Sequence, residues 1–379
     1  MARMNKDIYL DYAAATPIHE TVLNETLPYF CERYGNPSSA HAMGREAKEA
    51  VEESRRRISL ILNCKPSEIV LTGGGTESIA LAIKGVSKLL GNSKRKHIVT
   101  TQIEHAAVIT SCEELSDYGI QTSYVAVNKN GIVDINSLKN EIDPSTLLVS
   151  VMYANNEIGT IQPISEISKI AHAKGALMHT DACQAAGYLN LDVKKLGVDL
   201  LTINGSKIYG PKGVGVLYVK EGTPISPLYS GGGQEDNLRG GTENVAGIVG
   251  MASALELVNN NSTIESERVK KLQGYFIDAL INSNIKVIGD RINRLPNNVN
   301  LQFVGHDAQN IIARLDANGI YCSMGSACSA TKTEPSHVLM AVGLSYHEAF
   351  ECVRFTLGMS TTLNDIKFVI KVLKDILGR

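Results

Sequence analysis

The chain has 379 residues, of which 44% are hydrophobic and 20% are charged, and its formal net charge at pH 7 is −2. Such a length predicts one large and one smaller domain, and the near-neutral charge provides no basic field for direct nucleic-acid binding. No apolar stretch approaches the roughly 20 residues that span a bilayer, and no secretory signal opens the chain. The seven cysteines include no Cys-x-x-Cys pair, so we expect a cytoplasmic protein without membrane contact, structural zinc or disulfide framework.

Apolar strand-like runs alternate with amphipathic helical runs through most of the chain, which is typical of an α/β protein with a mostly parallel sheet. Five of these runs are EIVLT (68–72), HIVTT (97–101), LLVSVMYA (147–154), ALMHT (176–180) and VDLLTI (198–203). The residues that follow them are, in order, Gly73-Gly74-Gly75-Thr76, His105, Asn155-Asn156, Asp181 with Gln184, and Ser206-Lys207. Because ligands bind at the carboxyl ends of parallel strands, we expect these residues to share one site.

The stretch TINGSKIYGPKGVG (202–215) has the glycine spacing of a nucleotide-binding P-loop. Pro211 stands where that motif has its lysine, which disfavours nucleotide binding. Lys212 is typical of a solvated turn. Lys207 directly follows a strand end, where a partly dry site lowers the pKa of the amine and makes it nucleophilic.

The residues at the neighbouring strand ends supply further chemical groups beside this lysine. The glycines before Thr76 open a helix, where they either bind phosphate through free backbone N–H groups or form only a tight turn. Asp181 supplies an acid and His105 a ring. A lysine amine, an acid, a stacking group and a phosphate cradle are together what pyridoxal phosphate requires, so the sequence predicts this cofactor.

Long motifs over nearly the whole chain resemble those of the cysteine desulfurases in the aminotransferase class V group, which are fold type I pyridoxal-phosphate enzymes. These motifs are YLDYAAATP (9–17), YGNPSSAH (34–41), TGGGTES (72–78), IEHAAV (103–108), NNEIGTIQP (155–163), HTDACQ (179–184), SKIYGPKGVG (206–215), GGGQEDNLRGGTEN (231–244) and GSACS (325–329). The resemblance implies a large cofactor-binding domain over 16–257 and a smaller α/β domain formed by 1–15 and 258–379. The asparagine-rich stretch 258–266 is the predicted linker.

The resemblance also implies a role for each matching residue. Lys207 would be the Schiff-base lysine, His105 would stack on the cofactor ring and shuttle protons, and Asp181 would pair with the ring nitrogen. The other implied contacts are Gln184 and Asn156 at the phenolic oxygen or the substrate, Gly75, Thr76, Asn204 and Ser206 at the phosphate, Thr242 at the phosphate of the other subunit of a homodimer, and Arg354 at the substrate carboxylate.

The segment 322–339 has the Gly, Ser and Thr content of a mobile loop, so a thiol on it can reach a cofactor and then deliver sulfur elsewhere. Cys328 lies there and matches the nucleophile of the family. Cys322 is predicted to be a small buried residue, and Cys183 is a rival because it lies between Asp181 and Gln184. The expected reaction converts L-cysteine to L-alanine and passes a Cys328 persulfide to an acceptor protein.

Two features depart from the family pattern: Asn204-Gly-Ser-Lys207 replaces Ser-Gly-His-Lys, and the C-terminal tail is shorter. The sulfur acceptor stays open among iron–sulfur assembly, tRNA thiolation and DNA phosphorothioation. The alternative enzymes are a selenocysteine lyase or another lyase or aminotransferase of this fold. A catalytically silent sulfur-transfer platform is the non-enzymatic alternative, which the set of Lys207, Asp181, His105 and Cys328 disfavours.

Overall fold

A computed structural model describes residues 7–90, 95–325 and 334–378 of the chain. Within these ranges the strands are β1 Ile8–Tyr9, β2 Ile69–Thr72, β3 His97–Thr101, β4 Gln121–Val125, β5 Thr146–Ser150, β6 Leu177–Asp181, β7 Leu200–Asn204, β8 Gly215–Val219, β9 Ile285–Val287, β10 Asn298–Phe303, β11 Ile320–Tyr321 and β12 Cys352–Thr356. The helices are α1 Glu20–Thr26, α2 Pro28–Cys31, α3 Ala42–Leu62, α4 Gly75–Leu90, α5 Ala106–Ser116, α6 Ile135–Glu141, α7 Ile164–Ala173, α8 Val193–Leu196, α9 Val245–Leu280, α10 Ala308–Asp316, α11 His337–Ala341, α12 Tyr346–Ala349 and α13 Leu363–Ile376.

Seven strands form the main sheet in the order β2-β8-β7-β6-β5-β3-β4. Only β8 runs antiparallel to its neighbours in this sheet, so β2 and β7 on either side of it point the same way as the rest. The prediction of a mostly parallel α/β sheet is confirmed, and the five strand-like runs correspond to β2, β3, β5, β6 and β7. Their carboxyl ends therefore lie along one edge of the sheet.

The main sheet is covered on both faces because successive side chains of a strand point to opposite sides. In β3, Ile98 packs into one hydrophobic core and Val99 into another, and Leu148 and Val149 of β5 repeat this division. Helices α4 and α5 cover the face of Ile98, whereas α3 and the first half of α9 cover the face of Val99. Burial on both faces explains why these strands are nearly continuous apolar runs.

A smaller lobe contains the antiparallel sheet β12-β10-β9 and the parallel pair β1-β11. Its core brings Ile8 and Leu10 from the start of the chain together with Phe276, Val353 and Phe355 from the last third. The parallel pairing of β1 with β11 is what ties the two ends of the sequence together. The N-terminal segment then runs from this lobe across the edge of the main sheet.

Helix α9 is 36 residues long and belongs to both lobes. Its first part, as far as Val258, packs into the large core, and its later part, from Val269, packs into the small one. The prediction of a linker at 258–266 was wrong, because these residues continue the helix between the two cores. They are mostly exposed there, so the stretch needs no apolar periodicity and resembles a loop in composition. Among the described helices, none combines the length and apolarity needed to cross a membrane.

Candidate active site

A cavity of about 230 Å³ lies at the edge of the main sheet where the parallel strands end. Nine of the predicted site residues line it: Gly75, Thr76, His105, Asn156, Asp181, Gln184, Asn204, Lys207 and Arg354. A second cavity of about 630 Å³ shares Gly75, Thr76 and Asn204 with the first and adds Ser206. The structure thus brings together residues that lie up to 279 positions apart in the chain.

The glycine loop forms the shared wall of the two cavities. Gly74 has a φ of +146°, a conformation that a residue with a side chain rarely adopts. A Cβ on Gly75 would lie 3.0 Å from Sγ of Cys183 and 3.3 Å from Cβ of Asn204, so the wall has room only for bare backbone there. Helix α4 begins at this point, and its amino end points its backbone N–H groups towards the cavities. Such an end, with no side chain in the way, suits a phosphate group.

Lys207 ends a 3₁₀ turn that directly follows β7. The turn begins with Asn204, whose Oδ1 accepts a hydrogen bond of 3.3 Å from the backbone N–H of Ser206. The amine of Lys207 is half-buried in the first cavity and donates to the backbone oxygen of Ala14. A second bond, 2.9 Å from the N–H of Thr16 to the oxygen of Ser206, fixes this turn against the N-terminal segment. The turn therefore aims one lysine amine into the cavity.

Asp181 is the last residue of β6 and is buried. Its Oδ1 accepts a 2.9 Å hydrogen bond from the backbone N–H of Cys183. On the same face of the strand, His179 hydrogen-bonds to Ser150 Oγ at 2.8 Å and to Thr202 Oγ1 at 3.1 Å. Burial lowers the pKa of His179 to about 4, so this ring is neutral near pH 7. The neighbour of Asp181 on this face of the strand, His179, is thus uncharged, and both of its ring nitrogens are hydrogen-bonded.

His105 lies at the amino end of α5, where its Nδ1 accepts a 3.1 Å hydrogen bond from the backbone N–H of Ala107. An accepting Nδ1 carries no proton, so the neutral ring has its proton on Nε2. The capping bond fixes the ring plane at the cavity wall. A ring held in this way can stack on a planar ligand and can exchange a proton only through Nε2.

Glu104, the residue before His105, is fully buried, and no role was predicted for it. Its Oε1 accepts hydrogen bonds from Thr101 Oγ1 at 2.6 Å and from the N–H of Met152 at 3.0 Å. Burial raises the pKa of the carboxyl group from 4.5 to about 8, so it is protonated at neutral pH. A neutral acid is compatible with the nearby charge of Asp181, which also raises this pKa.

We expect Glu104→Gln to flatten the dependence of stability on pH. The folded state binds the Glu104 proton more tightly than the unfolded state, so stability is lost as pH rises from about 4.5 towards 8, by at most about 1.4 kcal/mol per pH unit. Glutamine keeps the accepting oxygen but does not titrate. Urea unfolding of the cofactor-loaded protein at pH 5.5 and 7.5 measures the effect, with exposed Glu113→Gln as control. Equal pH dependence in wild type and Glu104→Gln would contradict this expectation.

Arg354 is the central residue of β12 and its side chain is only 1% exposed. Its Nη2 donates to Oδ1 of Asp11 at 2.6 Å and its Nη1 donates to the backbone oxygen of Asn156 at 3.0 Å. Within the described part of the chain, its Nε has no hydrogen-bond partner. Arg354 lines the cavity, and each Nη carries a second N–H, so the guanidinium group has donor capacity left for an anion.

Residues 11–16, here called the N-terminal strap, were not predicted to contribute to the site. The Asp11 carboxylate of the strap binds Arg354. The backbone oxygen of Ala13 accepts a 3.0 Å hydrogen bond from Nε2 of Gln184, and the backbone oxygen of Ala14 accepts one from the amine of Lys207. The sequence motif that contains the strap was recognised. The contacts of Ala13 and Ala14 could not be predicted from it, because they use backbone atoms and partners 171 and 193 positions away. The sequence offered only one signal, the acidic Asp11 among small residues.

Cys183, the rival, and Cys322 are both held as thiols. Cys183 lines the first cavity, and burial raises the pKa of its thiol well above the ordinary value. Cys322 is half-buried just after β11, and burial raises its pKa as well. Cys328 lies outside the described residues. Thr242 is exposed between β8 and α9 and is not among the residues that line the two cavities.

These residues fit pyridoxal phosphate. The cavity walls combine the amine of Lys207, the carboxylate of Asp181 and the ring of His105. The bare backbone at Gly75 and the amino end of α4 provide a place for the phosphate beside them. An aldehyde, a ring nitrogen, a planar ring and a phosphate are the groups that such partners bind.

Comparison with known proteins agrees with this site. Residues 8–369 match the family described as aminotransferase class-V. The chain is 46% identical over 378 residues to the cysteine desulfurase IscS of Dictyoglomus turgidum, covering 99% of this chain and 96% of the relative.

Solved structures give the same result. A structure of a NifS-like protein superposes with a TM-score of 0.93 at 36% identity, covering 98% of this chain and all of the other. A structure of SspA in complex with cysteine superposes with a TM-score of 0.83 at 35% identity, covering 92% of this chain and 98% of the other. The chain therefore belongs to the aminotransferase class-V family of pyridoxal-phosphate enzymes.

Proposed function

We propose that the protein is a cysteine desulfurase that converts L-cysteine to L-alanine and holds the released sulfur as a persulfide on Cys328. The observation that carries this proposal is the placement of an amine, a carboxylate and a buried guanidinium, from Lys207, Asp181 and Arg354, on the walls of one cavity. A desulfurase with this name and a structure containing cysteine are among the similar proteins, which supports the choice of substrate.

The first group of residues holds the cofactor. Pyridoxal phosphate, when bound, supplies an electron-accepting ring that stabilises negative charge on the substrate. The Asp181 carboxylate would keep a proton on the ring nitrogen. Lys207 would hold the aldehyde carbon, and the ring of His105 would stack on the planar group. The phosphate contacts in this proposal are Gly75, Thr76, Asn204 and Ser206.

The second group acts on the substrate. The Arg354 guanidinium binds the substrate carboxylate through its remaining donors, with Asn156 and Gln184 beside it. Once the substrate amine has replaced Lys207 at the cofactor, this contact would aim the Cα–H bond at the released amine of Lys207, which removes the proton as a general base. His105 would then exchange protons with the reacting groups through Nε2. Each step uses a residue that lines the cavity.

The sulfur step requires a thiolate that reaches the cavity. Before Cys328, Ser323 exchanges two backbone hydrogen bonds with Arg354, of 3.1 and 2.7 Å. After it, Ser336 Oγ donates 2.6 Å to Oε2 of Glu157, the neighbour of Asn156. Cys328 lies three residues after Gly325 in the sequence. Three residues of fully extended chain span at most about 11 Å. Both flanks are thus attached beside the cavity, which supports Cys328 as the nucleophile.

The Cys328 thiolate attacks the substrate sulfur and forms an S–S bond. The bond between that sulfur and Cβ breaks, and its electron pair stays with the three-carbon fragment. This fragment takes up one proton at Cβ and regains one at Cα, in place of the proton that Lys207 removed, to become L-alanine. An acceptor protein or a reductant then removes the sulfur from Cys328.

We further propose that the protein acts as a homodimer. Three large apolar side chains are exposed before, on and after α2: Leu27, Phe30, which is 63% exposed, and Tyr34, which is 66% exposed. An exposed apolar surface of this kind marks a protein interface. The exposed position of Thr242 would let it reach the phosphate of the other subunit. Sedimentation should give about twice the 40.9 kDa of one chain, and a monomeric wild-type enzyme would contradict the proposal.

The test of the proposed activity is the product formed from L-cysteine in the presence of a thiol reductant. We expect L-alanine and sulfide in equal amounts. Pyruvate and ammonia would instead indicate a lyase that eliminates sulfide, and turnover confined to selenocysteine would indicate a selenocysteine lyase. Either result would contradict the proposal.

A further inference from the structure

Arg354 already has a negatively charged partner before any substrate arrives. Oδ1 of Asp11 lies 2.6 Å from its Nη2, and the Asp11 side chain is only 19% exposed. The strap that carries Asp11 is fixed from several sides: Tyr9 donates its hydroxyl to the backbone oxygen of Asp11 at 3.0 Å, and Ala13 donates its N–H to Thr356 Oγ1 at 2.9 Å. Asp11 is therefore held in place behind Arg354, which lines the cavity.

We propose that Asp11 is a positioning residue that serves as the resident counter-ion of Arg354, and that its charge weakens the affinity of the site for carboxylate ligands. This inference rests on the proposed function, in which Arg354 binds the substrate carboxylate. It adds a residue that does not touch the reacting atoms but sets how tightly substrate and product are held.

The burial of Arg354 requires a partner for its charge. A guanidinium that is 1% exposed needs a partner, because an unpaired buried charge strongly destabilises a protein. Asp11 provides that partner through Nη2, while Asn156 accepts from Nη1. The side chain is thereby held in one orientation, and the second N–H of each Nη remains for a ligand. Asp11 thus prepares Arg354 for a ligand.

The charge of Asp11 also acts on the ligand. A substrate carboxylate that binds Arg354 brings a second negative charge close to that of Asp11, and the two repel each other in a poorly solvated site. The repulsion lowers the affinity for L-cysteine. It lowers the affinity for L-alanine equally, since the product carries the same carboxylate. Asp11 therefore favours product release at the expense of tight substrate binding.

Two substitutions separate these effects. Asp11→Asn keeps an oxygen that accepts from Nη2 but removes the charge, so we expect KM for L-cysteine and the Kd for propionate to fall about tenfold, equivalent to about 1.4 kcal/mol. Asp11→Ala removes the hydrogen bond as well, so Arg354 loses its orientation and both constants should rise. A purely structural role would move both variants in the same direction.

The experiment titrates propionate, a carboxylate without amine or thiol, into the cofactor-loaded enzyme and follows the heat of binding and the melting temperature. Asp278→Asn is the matched control, since Asp278 forms an exposed ion pair with Arg291 at 3.6 Å. Propionate should raise the melting temperature of Asp11→Asn more than that of wild type, even where the unliganded variant is less stable. Weaker or unchanged binding in Asp11→Asn would overturn the inference.

The two proposals fail in different ways. Tighter propionate binding by Asp11→Asn, in a protein that releases no alanine from cysteine, would support the inference on Asp11 and overturn the proposed activity. Normal alanine release, with unchanged propionate binding in Asp11→Asn, would overturn only the inference. Propionate binding that survives Arg354→Ala would overturn the inference and the assigned role of Arg354 together.

Discussion

Replacing Lys207 with alanine is expected to lower L-alanine release from L-cysteine by at least about a thousandfold, while the main sheet stays folded. The lysine has two proposed tasks, to bind the cofactor aldehyde and to remove the Cα proton, so its loss affects binding and chemistry together. No other lysine lines the first cavity among the described residues. Borohydride treatment followed by mass spectrometry provides a readout besides activity, because it fixes the cofactor covalently to wild type but not to Lys207→Ala.

Lys195→Ala is the control for this substitution, since Lys195 is exposed on α8 and pairs only with Asp192 at 3.7 Å among the described residues. It should change neither alanine release nor covalent retention of the cofactor. If Lys207→Ala kept either property at the wild-type level, the assignment of Lys207 would be wrong and another amine would have to be sought.

Replacing Cys328 with serine is expected to abolish sulfur transfer while leaving the cofactor bound. The serine hydroxyl is not ionised near neutral pH and does not attack sulfur, so L-alanine release should fall by at least about a thousandfold. Wild type incubated with one equivalent of L-cysteine should carry an extra sulfur on the peptide containing Cys328, and the variant should not. Mass spectrometry of the digested protein measures this directly.

Cys183 provides the decisive comparison. Its thiol lies in the cavity, but burial keeps it protonated, so Cys183→Ser should retain most of the activity. Cys31→Ser, at an exposed position on α2, controls for the loss of any surface thiol. A Cys183→Ser variant as inactive as Cys328→Ser would show that the sulfur passes through the buried thiol instead.

Much of the fold followed from local patterns. Strands buried on both faces are recognisable as apolar runs, and the residues directly after them, such as Asp181 and Lys207, had to lie at one edge because the strands are parallel. The position of the glycine loop was predicted for the same reason, because it directly follows β2. The residues that were predicted to lie together because each follows a strand end, such as Asp181 and Lys207, line one cavity at that edge.

Other features depend on contacts that no local pattern encodes. Asp11 and Arg354 are 343 positions apart, and nothing in either motif identifies the other as its partner. In the sequence, Glu104 is an acidic residue beside a histidine, and no local pattern indicates that its side chain is buried. The polar stretch 258–266 looked like a linker because a helix that crosses between two cores needs no apolar stripe at the crossing. In each case the deciding fact was the environment of the residue.

The pairing of the two ends of the chain has a consequence for biosynthesis. A ribosome makes the strap before the main sheet and Arg354 after it, and domains generally fold in the order in which they emerge. The strands of the main sheet all lie within residues 69–219 and can form early, but β1 cannot pair with β11, nor Asp11 of the strap with β12, until those later strands have been made. The catalytic cavity is therefore completed only after the main sheet has formed, and a chain that stops before Arg354 would carry the lysine without a working site around it.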